Sequence, residues 1–251
     1  MGALSGKVAV VTGGNSGIGL AIATLFRAEG ARLSILGRDK KTLDRAVSEL
    51  GEDTLGVQGD VTRMGDTERL FKETSEHLGK VDVLVVNAGI AKFAPLSDFT
   101  EELFDEICAV NFKGAFFTVQ RALPHLSDGA SVILVSSAGA CTRGRPLTSV
   151  YNATKAAVRS LARTLAAELG ERGIRINVLS PGMTETPILS RDTGLSNEVR
   201  EKIAAGVVSE IPAGRLAQPS EVARAALFLA SMSSAYCQGS ELTIDGGLTE
   251  I

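Results

Sequence analysis

From end to end, short apolar runs rich in valine and isoleucine alternate with helical patterns. "KVAVVT" (7–12) reads as a buried strand and "GIGLAIATLFRAEG" (17–30) as a helix closed by glycine. "ARLSILG" (31–37) is the next strand, followed by a charged helix to residue 50. "TLGVQGD" (54–60) is a short strand, and a helix spans 64–78. "VDVLVVNAG" (81–89) is a strand, and one long helix is expected over 100–125. "SVILVSS" (131–137) is a strand that precedes a helix containing Tyr151. "IRINVLSPG" (174–182), a helix near 219–232 and "ELTIDGG" (241–247) complete the series. Strands that alternate with helices of this length imply βαβ units around a parallel sheet. Crossovers are then right-handed, with helices on both faces, an α/β fold. No linker or repeat divides the 251 residues, so one domain is expected. The stretch 183–211 is long for a βα connection and is expected to act as a mobile lid.

Net charge is only −3, which gives no reason to expect a nucleic-acid or membrane partner. Cys108, Cys141 and Cys237 are far apart and odd in number, which fits a reducing compartment rather than disulfides or zinc. "MGALSGKVAVVTGG" has no signal-peptide layout, and no apolar run reaches spanning length. A cytoplasmic location without a metal is the expectation.

Chemistry concentrates at a few places. "TGGNSGIG" (12–19) joins the first strand to the first helix. Its glycines permit a tight turn, and the helix N-terminus favours a phosphate. No lysine follows as in a P-loop, so ATP or GTP is not expected. At the end of the second strand, "ILGRDKK" places Gly37 and Arg38 where a ribose would be selected. Arg38 suits a 2′-phosphate, so NADP(H) is favoured; Asp39 could instead face the ribose, so NAD(H) stays open. His77 and His125 lie late in their helices and read as surface residues. No G-x-S-x-G elbow exists, which leaves no Ser–His–Asp hydrolase.

Tyr151 and Lys155 in "SVYNATKAAVRS" share one helical face. A free phenol with a pKa of about 10 is a sluggish proton exchanger at neutral pH. Bringing it near 7 requires roughly 4 kcal/mol of preference for the phenolate. A nearby ammonium is the right kind of source. Alone, the spacing is common on solvated helices; with a phosphate loop and a strand ending "VSS" upstream, the proton-transfer reading prevails.

Together these residues resemble the short-chain dehydrogenase/reductase family over nearly the whole chain. "TGGNSGIG" resembles its cofactor loop, with Gly13, Asn15, Ser16, Gly17, Ile18 and Gly19 as contacts. "GDV" with Asp60 and Val61 resembles its adenine contact, and "NAG" with Asn87, Ala88 and Gly89 its fourth-strand signature. "SPGMTET" with Pro181, Gly182, Thr184 and Thr186 resembles the segment that holds the nicotinamide. "IDGG" (244–247) resembles its C-terminal signature. The resemblance implies a doubly wound Rossmann fold of about seven strands. It also implies interconversion of a carbonyl and an alcohol on a small molecule. Tyr151 would act as general acid, Ser137 would bond the carbonyl oxygen, and Lys155 would hold the ribose and tune the phenol. Asn111 would hold a water that returns the proton. The family usually places its serine thirteen residues before the tyrosine; Ser137 stands fourteen before and Ser136 fifteen. Alignment through "VILVSS" favours Ser137 and leaves Ser136 open. A dinucleotide sensor without catalysis, or an epimerase or dehydratase, are the rival readings on such a fold.

Substrate choice is expected to lie in 90–97, 138–149 and 183–211. The small residues of the Tyr151 helix, and Phe112, Phe116 and Phe117 on the long helix, leave faces for partner helices. A homo-oligomer is expected, a tetramer ahead of a dimer.

Overall fold

The computed structural model of the chain describes residues 2–142, 144–187, 193–194, 198, 206–249 and 251. Its strands are β1 (Val8–Thr12), β2 (Arg32–Gly37), β3 (Thr54–Gln58), β4 (Val81–Val86), β5 (Leu126–Val135), β6 (Arg175–Pro181) and β7 (Glu241–Ile244). They form one seven-stranded sheet in the order β3-β2-β1-β4-β5-β6-β7, with every pair parallel. The chain winds outward from β1 in one direction and from β4 in the other. Loops at the carboxyl ends of these two strands therefore diverge and leave a crevice, the usual ligand position in doubly wound sheets.

The helices are α1 (Gly17–Ala28), α2 (Lys40–Leu50), α3 (Met64–His77), α4 (Glu101–Cys108), α5 (Gly114–Ala122), α6 (Gly139–Thr142), α7 (Ser149–Glu168) and α8 (Pro219–Ala230). Successive strand residues face opposite sides. Ala9, Val11, Val83 and Val85 pack with α1, α2 and α8 residues such as Phe26, Leu43 and Leu229. Val10 and Leu84 pack on the other side with Phe71, Val119 and Ala162 of α3, α5 and α7. Both faces are covered, which is why these strands read as continuous apolar runs rather than alternating ones.

Three expectations are refined. The helix expected over 100–125 is interrupted by a π turn at Ala109–Lys113. The wider turn adds a residue to the ladder locally, and Asn111 within it is buried. β4 ends at Val86 rather than 89, because Asn87 turns away to bond the end of β1. β5 begins at Leu126, five residues before its expected start, because Val81 pairs with Leu126 across a register irregularity. Of the 183–211 stretch, residues 188–192, 195–197 and 199–205 lie outside the described residues. Its described part is tied down: Thr184 bridges Ala217, and Val207 and Ile211 pack with Leu248. No helix among the described residues is long and apolar enough to cross a membrane.

Candidate active site

The crevice at the carboxyl ends of β1, β2 and β4 is a cleft of about 450 Å³. Gly13, Asn15, Ser16, Gly17 and Ile18 line one wall. The turn is tight enough that a Cβ on Gly19 would lie 2.2 Å from the Gly13 carbonyl oxygen. No side chain fits there, so α1 starts directly beneath the loop and its N–H groups and dipole face the cleft. Thr12 and Asn87 hold the loop in place. Thr12 Oγ1 accepts from the amides of Asn87 and Ala88 at 3.0 and 3.1 Å, and Asn87 Nδ2 donates to the Thr12 carbonyl at 3.0 Å. Asn87 thus shapes the cleft with its side chain, while Ala88 and Gly89 line it beside Asn87.

The opposite wall carries Arg38, Asp60 and Val61. Arg38 Nη1 lies 3.7 Å from Asp60 Oδ2 and its side chain is 58 % exposed, a long pair that leaves the guanidinium able to turn toward a ligand. Asp60 Oδ1 accepts from the Thr62 amide and hydroxyl, both at 2.9 Å. Asp39 Oδ1 accepts from the Thr42 amide at 2.7 Å and caps α2. Asn15 Nδ2 donates to Thr42 Oγ1 at 2.7 Å. The space over Gly37 is taken by Asn15: a Cβ there would sit 2.6 Å from Asn15 Cγ. Gly37 therefore admits the Asn15 side chain, rather than simply clearing room above the ribose position.

Pro181 ends β6, and Gly182 packs so closely on Asp245 that a Cβ would lie 2.7 Å from its Cα. From there the chain folds back across the cleft. Thr184 is buried and its hydroxyl donates to the Gly182 carbonyl at 3.0 Å. Thr186 and Pro187 reach the cleft mouth over Gly17.

Tyr151 and Lys155 of α7 do not line this cleft themselves, but Lys155 adjoins it: a Cβ on Gly89, which lines the cleft, would lie 3.4 Å from Lys155 Nζ. The Tyr151 hydroxyl shares a hydrogen bond with Ser137. Burial pushes the phenol above its ordinary value, and the Ser137 hydrogen bond opposes that shift. Lys155 is 6 % exposed and its Nζ donates to the Val135 carbonyl at 2.9 Å. Burial lowers its pKa to about 8. The two serines separate cleanly: Ser136 is buried and its Oγ donates to the Lys155 carbonyl at 2.8 Å, on the side of α7 backbone. Neighbours in an extended segment face opposite ways, so Ser137 alone points to Tyr151. The extra residue between serine and tyrosine is absorbed by the loop through α6 and a turn in which Leu147 has φ 71°. Asn111 Oδ1 accepts from the Ile90 amide at 2.9 Å; its Nδ2 donates to the Ile90 carbonyl at 3.0 Å and to Thr154 Oγ1 at 3.3 Å. Its amide thus clamps the loop after β4 against α7.

Comparison with known proteins bears on this constellation. The family model described as enoyl-(acyl carrier protein) reductase matches residues 13–249. The chain is 43 % identical to oxidoreductase asL5 of Sarocladium schorii, over 99 % of this chain and 98 % of that one. The chain belongs to the short-chain dehydrogenase/reductase family. It is 33 % identical to the hydroxynaphthalene reductase-like protein Arp2 of Metarhizium brunneum, over 97 % of this chain and 95 % of that one. The solved 3-ketoacyl-(acyl-carrier-protein) reductase of Brucella melitensis, complexed with NADH, superposes with a TM-score of 0.89 at 36 % identity, over 98 % of this chain and 99 % of that one.

In this short-chain dehydrogenase/reductase, several further residues belong to the site. Leu36, Ile90, Val110 and Pro187 line the cleft as apolar groups with no motif of their own, and Gly59 lines it as the first residue of "GDV". Thr42 enters through the cap of α2, a signal present in the sequence as Asp39 three residues before a threonine. Thr12 was legible only as the first letter of the glycine loop. Of the histidines, His77 is exposed, and His125 stacks on Phe71 and shares a 2.7 Å hydrogen bond with Ser75, packing contacts made by α3.

Proposed function

We propose that the protein interconverts a ketone or aldehyde and an alcohol on a small molecule, in one domain, with NADP(H) preferred to NAD(H). The observation that carries this reading is the buried Lys155, one helical turn from Tyr151, with its Nζ against Gly89 of a cleft whose glycine turn fits a dinucleotide. The loop and the α1 N-terminus would hold the pyrophosphate, Asp60 and Val61 the adenine side, and Thr184 and Thr186 the nicotinamide end. When bound, the reduced nicotinamide supplies the hydride. Tyr151 donates its proton to the substrate oxygen as general acid. A phenol kept protonated by burial is the form that reduction requires. Ser137 donates a hydrogen bond to the same oxygen as charge develops. Lys155 presents its ammonium to the ribose hydroxyls and favours the phenolate once the proton has left. Because the Asn111 amide is engaged by Ile90 and Thr154, a proton-returning water would sit on main chain there. The likeness to the hydroxynaphthalene reductase-like protein of Metarhizium brunneum places ketones of hydroxylated fused aromatic rings among the first compounds to try. Oxidation of NADPH and NADH with a panel of carbonyls, followed by absorbance, tests the activity; a chain that binds cofactor but never oxidises it refutes the reading.

Arg38, with Asn15 and Thr42 beside it and Asp39 engaged as a helix cap, supports the preference for NADP(H). Arg38→Ala is expected to raise KM for NADPH by roughly 1.5–3 kcal/mol equivalent, the range for a charged hydrogen bond, and to leave NADH nearly unchanged. Steady-state kinetics with both cofactors checks this, and a wild type that already prefers NADH overturns it.

Phe104, Phe112 and Phe116 expose apolar surface on α4, the π turn and α5, as do Phe228 on α8 and Met232 and Tyr236 after it. Apolar side chains exposed on two different sets of helices suit the two kinds of contact in a tetramer. Phe116→Asp is expected to lower the mass seen by light scattering at micromolar concentration. A wild type already at the single-chain mass would refute the assembly.

A further inference from the structure

The Phe93 ring meets the Tyr151 ring edge to face, with centroids 5.7 Å apart and planes at 76°. The segment that carries it is held from two sides. The Phe93 amide donates to the Thr193 carbonyl at 2.9 Å, and the Ala94 amide donates to the Leu147 carbonyl at 3.2 Å. Leu147 is in the left-handed region at φ 71°, a conformation leucine keeps only where its surroundings enforce it. Gly194 passes so near that a Cβ would lie 2.9 Å from the Phe93 carbonyl oxygen. Phe93 is therefore placed by three chain segments at once, and its ring remains partly exposed beside the phenol.

Thr193 is a buried polar residue. It is 3 % exposed, yet its hydroxyl makes no hydrogen bond among the described residues. A buried hydroxyl without a partner costs stability, and valine would fill the same volume without that cost. The residue stands one hydrogen bond away from the residue whose ring abuts Tyr151. A hydroxyl both donates and accepts, so a phenol or a second carbonyl on a substrate would satisfy it.

We propose that Phe93 and Thr193 form the selecting wall of the carbonyl site, for planar aromatic ketones that carry a second oxygen function. Phe93 takes the aromatic ring through edge or face contact, and the Thr193 hydroxyl bonds the second oxygen. This inference rests on the carbonyl-reductase reading of the same site. A site with a buried polar group discriminates strongly against analogues that leave it unpaired.

The test uses the full chain with 1-tetralone and its four ring-hydroxylated isomers, with NADPH and NADH. Wild type is expected to favour at least one hydroxylated isomer over 1-tetralone by ~10-fold or more in kcat/KM. Thr193→Val is expected to abolish that preference, keep turnover of 1-tetralone, and melt at or above the wild-type temperature without ligand. Thr193→Ser is expected to retain the preference. Phe93→Leu is expected to raise KM for all five ketones more than it lowers kcat. The proposal is overturned if wild type shows no isomer preference, if Thr193→Val alters hydroxylated and parent ketones alike, if it melts below wild type, or if Phe93→Leu leaves KM unchanged. A wild type that binds cofactor but reduces none of the ketones overturns the reductase reading, and this inference with it.

Discussion

Tyr151→Phe is expected to lower turnover at least ~10²-fold while cofactor affinity stays near wild type. Phenylalanine preserves the ring, and with it the edge contact to Phe93 at 5.7 Å, so the wall beside the reacting carbon is kept. What disappears is the hydroxyl and its hydrogen bond to Ser137. A neutral hydrogen bond of this kind contributes about 1 kcal/mol to stability, too little to unfold the chain. The loss in rate has a different origin: with no acid in place, the substrate oxygen must collect its proton from water as the hydride arrives. Single-turnover kinetics together with a fluorescence titration of NADPH separates the two effects. Near-normal turnover would remove Tyr151 from the acid role.

Lys155→Met is expected to abolish activity and yet leave the cofactor-free protein as stable as wild type, or more stable, at pH 7. Lys155 is buried, and its pKa falls from 10.5 to about 8. The depression corresponds to roughly 3 kcal/mol of cost for keeping the ammonium in the fold. The unfolded chain binds the proton more tightly, so this cost is fully present below pH 8. It is relieved as pH rises from about 8 toward 10.5, where the unfolded chain also loses the proton. Methionine fills the space without charge, although it leaves the Val135 carbonyl without the donor it has at 2.9 Å. The stability advantage of the variant should therefore be largest at neutral pH and shrink on going to pH 10. Melting curves across that range check the sign; a variant far less stable than wild type at pH 7 would show that the ammonium is a net support of the fold. A buried charge kept at a cost to stability is what a functional role for the lysine requires.

The parallel sheet was legible because a strand covered on both faces has no polar side. Runs such as "KVAVV" and "VDVLVV" are continuous for that reason, and the helices between them are long enough only for crossovers. The glycine turn was legible for a similarly local reason, since Gly19 stands where no Cβ can be accommodated. The spacing of Tyr151 and Lys155 placed both on one helical face before any fold was known.

Other features depended on residues far apart in the chain. The interruption of the long helix at Ala109–Lys113 has no marker in "AVNFK", because it is the burial of Asn111 against Ile90 and Thr154 that accompanies the wider turn. The early start of β5 comes from Val81 across the sheet, against the turn-like "SDG" of its own sequence. Which serine faces the phenol was open in the sequence by one position. It is decided by the side of β5 on which α7 packs, which turns Ser136 to the Lys155 carbonyl and leaves Ser137 to Tyr151. The same division holds for the cofactor wall: Arg38 could be read from its place after β2, but the packing of Asn15 over Gly37 could not. Periodicity, glycine positions and helical spacing are local properties, and local interactions determine them. Partner choice for a buried hydroxyl, an amide or an ammonium depends on which distant segment the sheet brings alongside, and only the tertiary structure decides that.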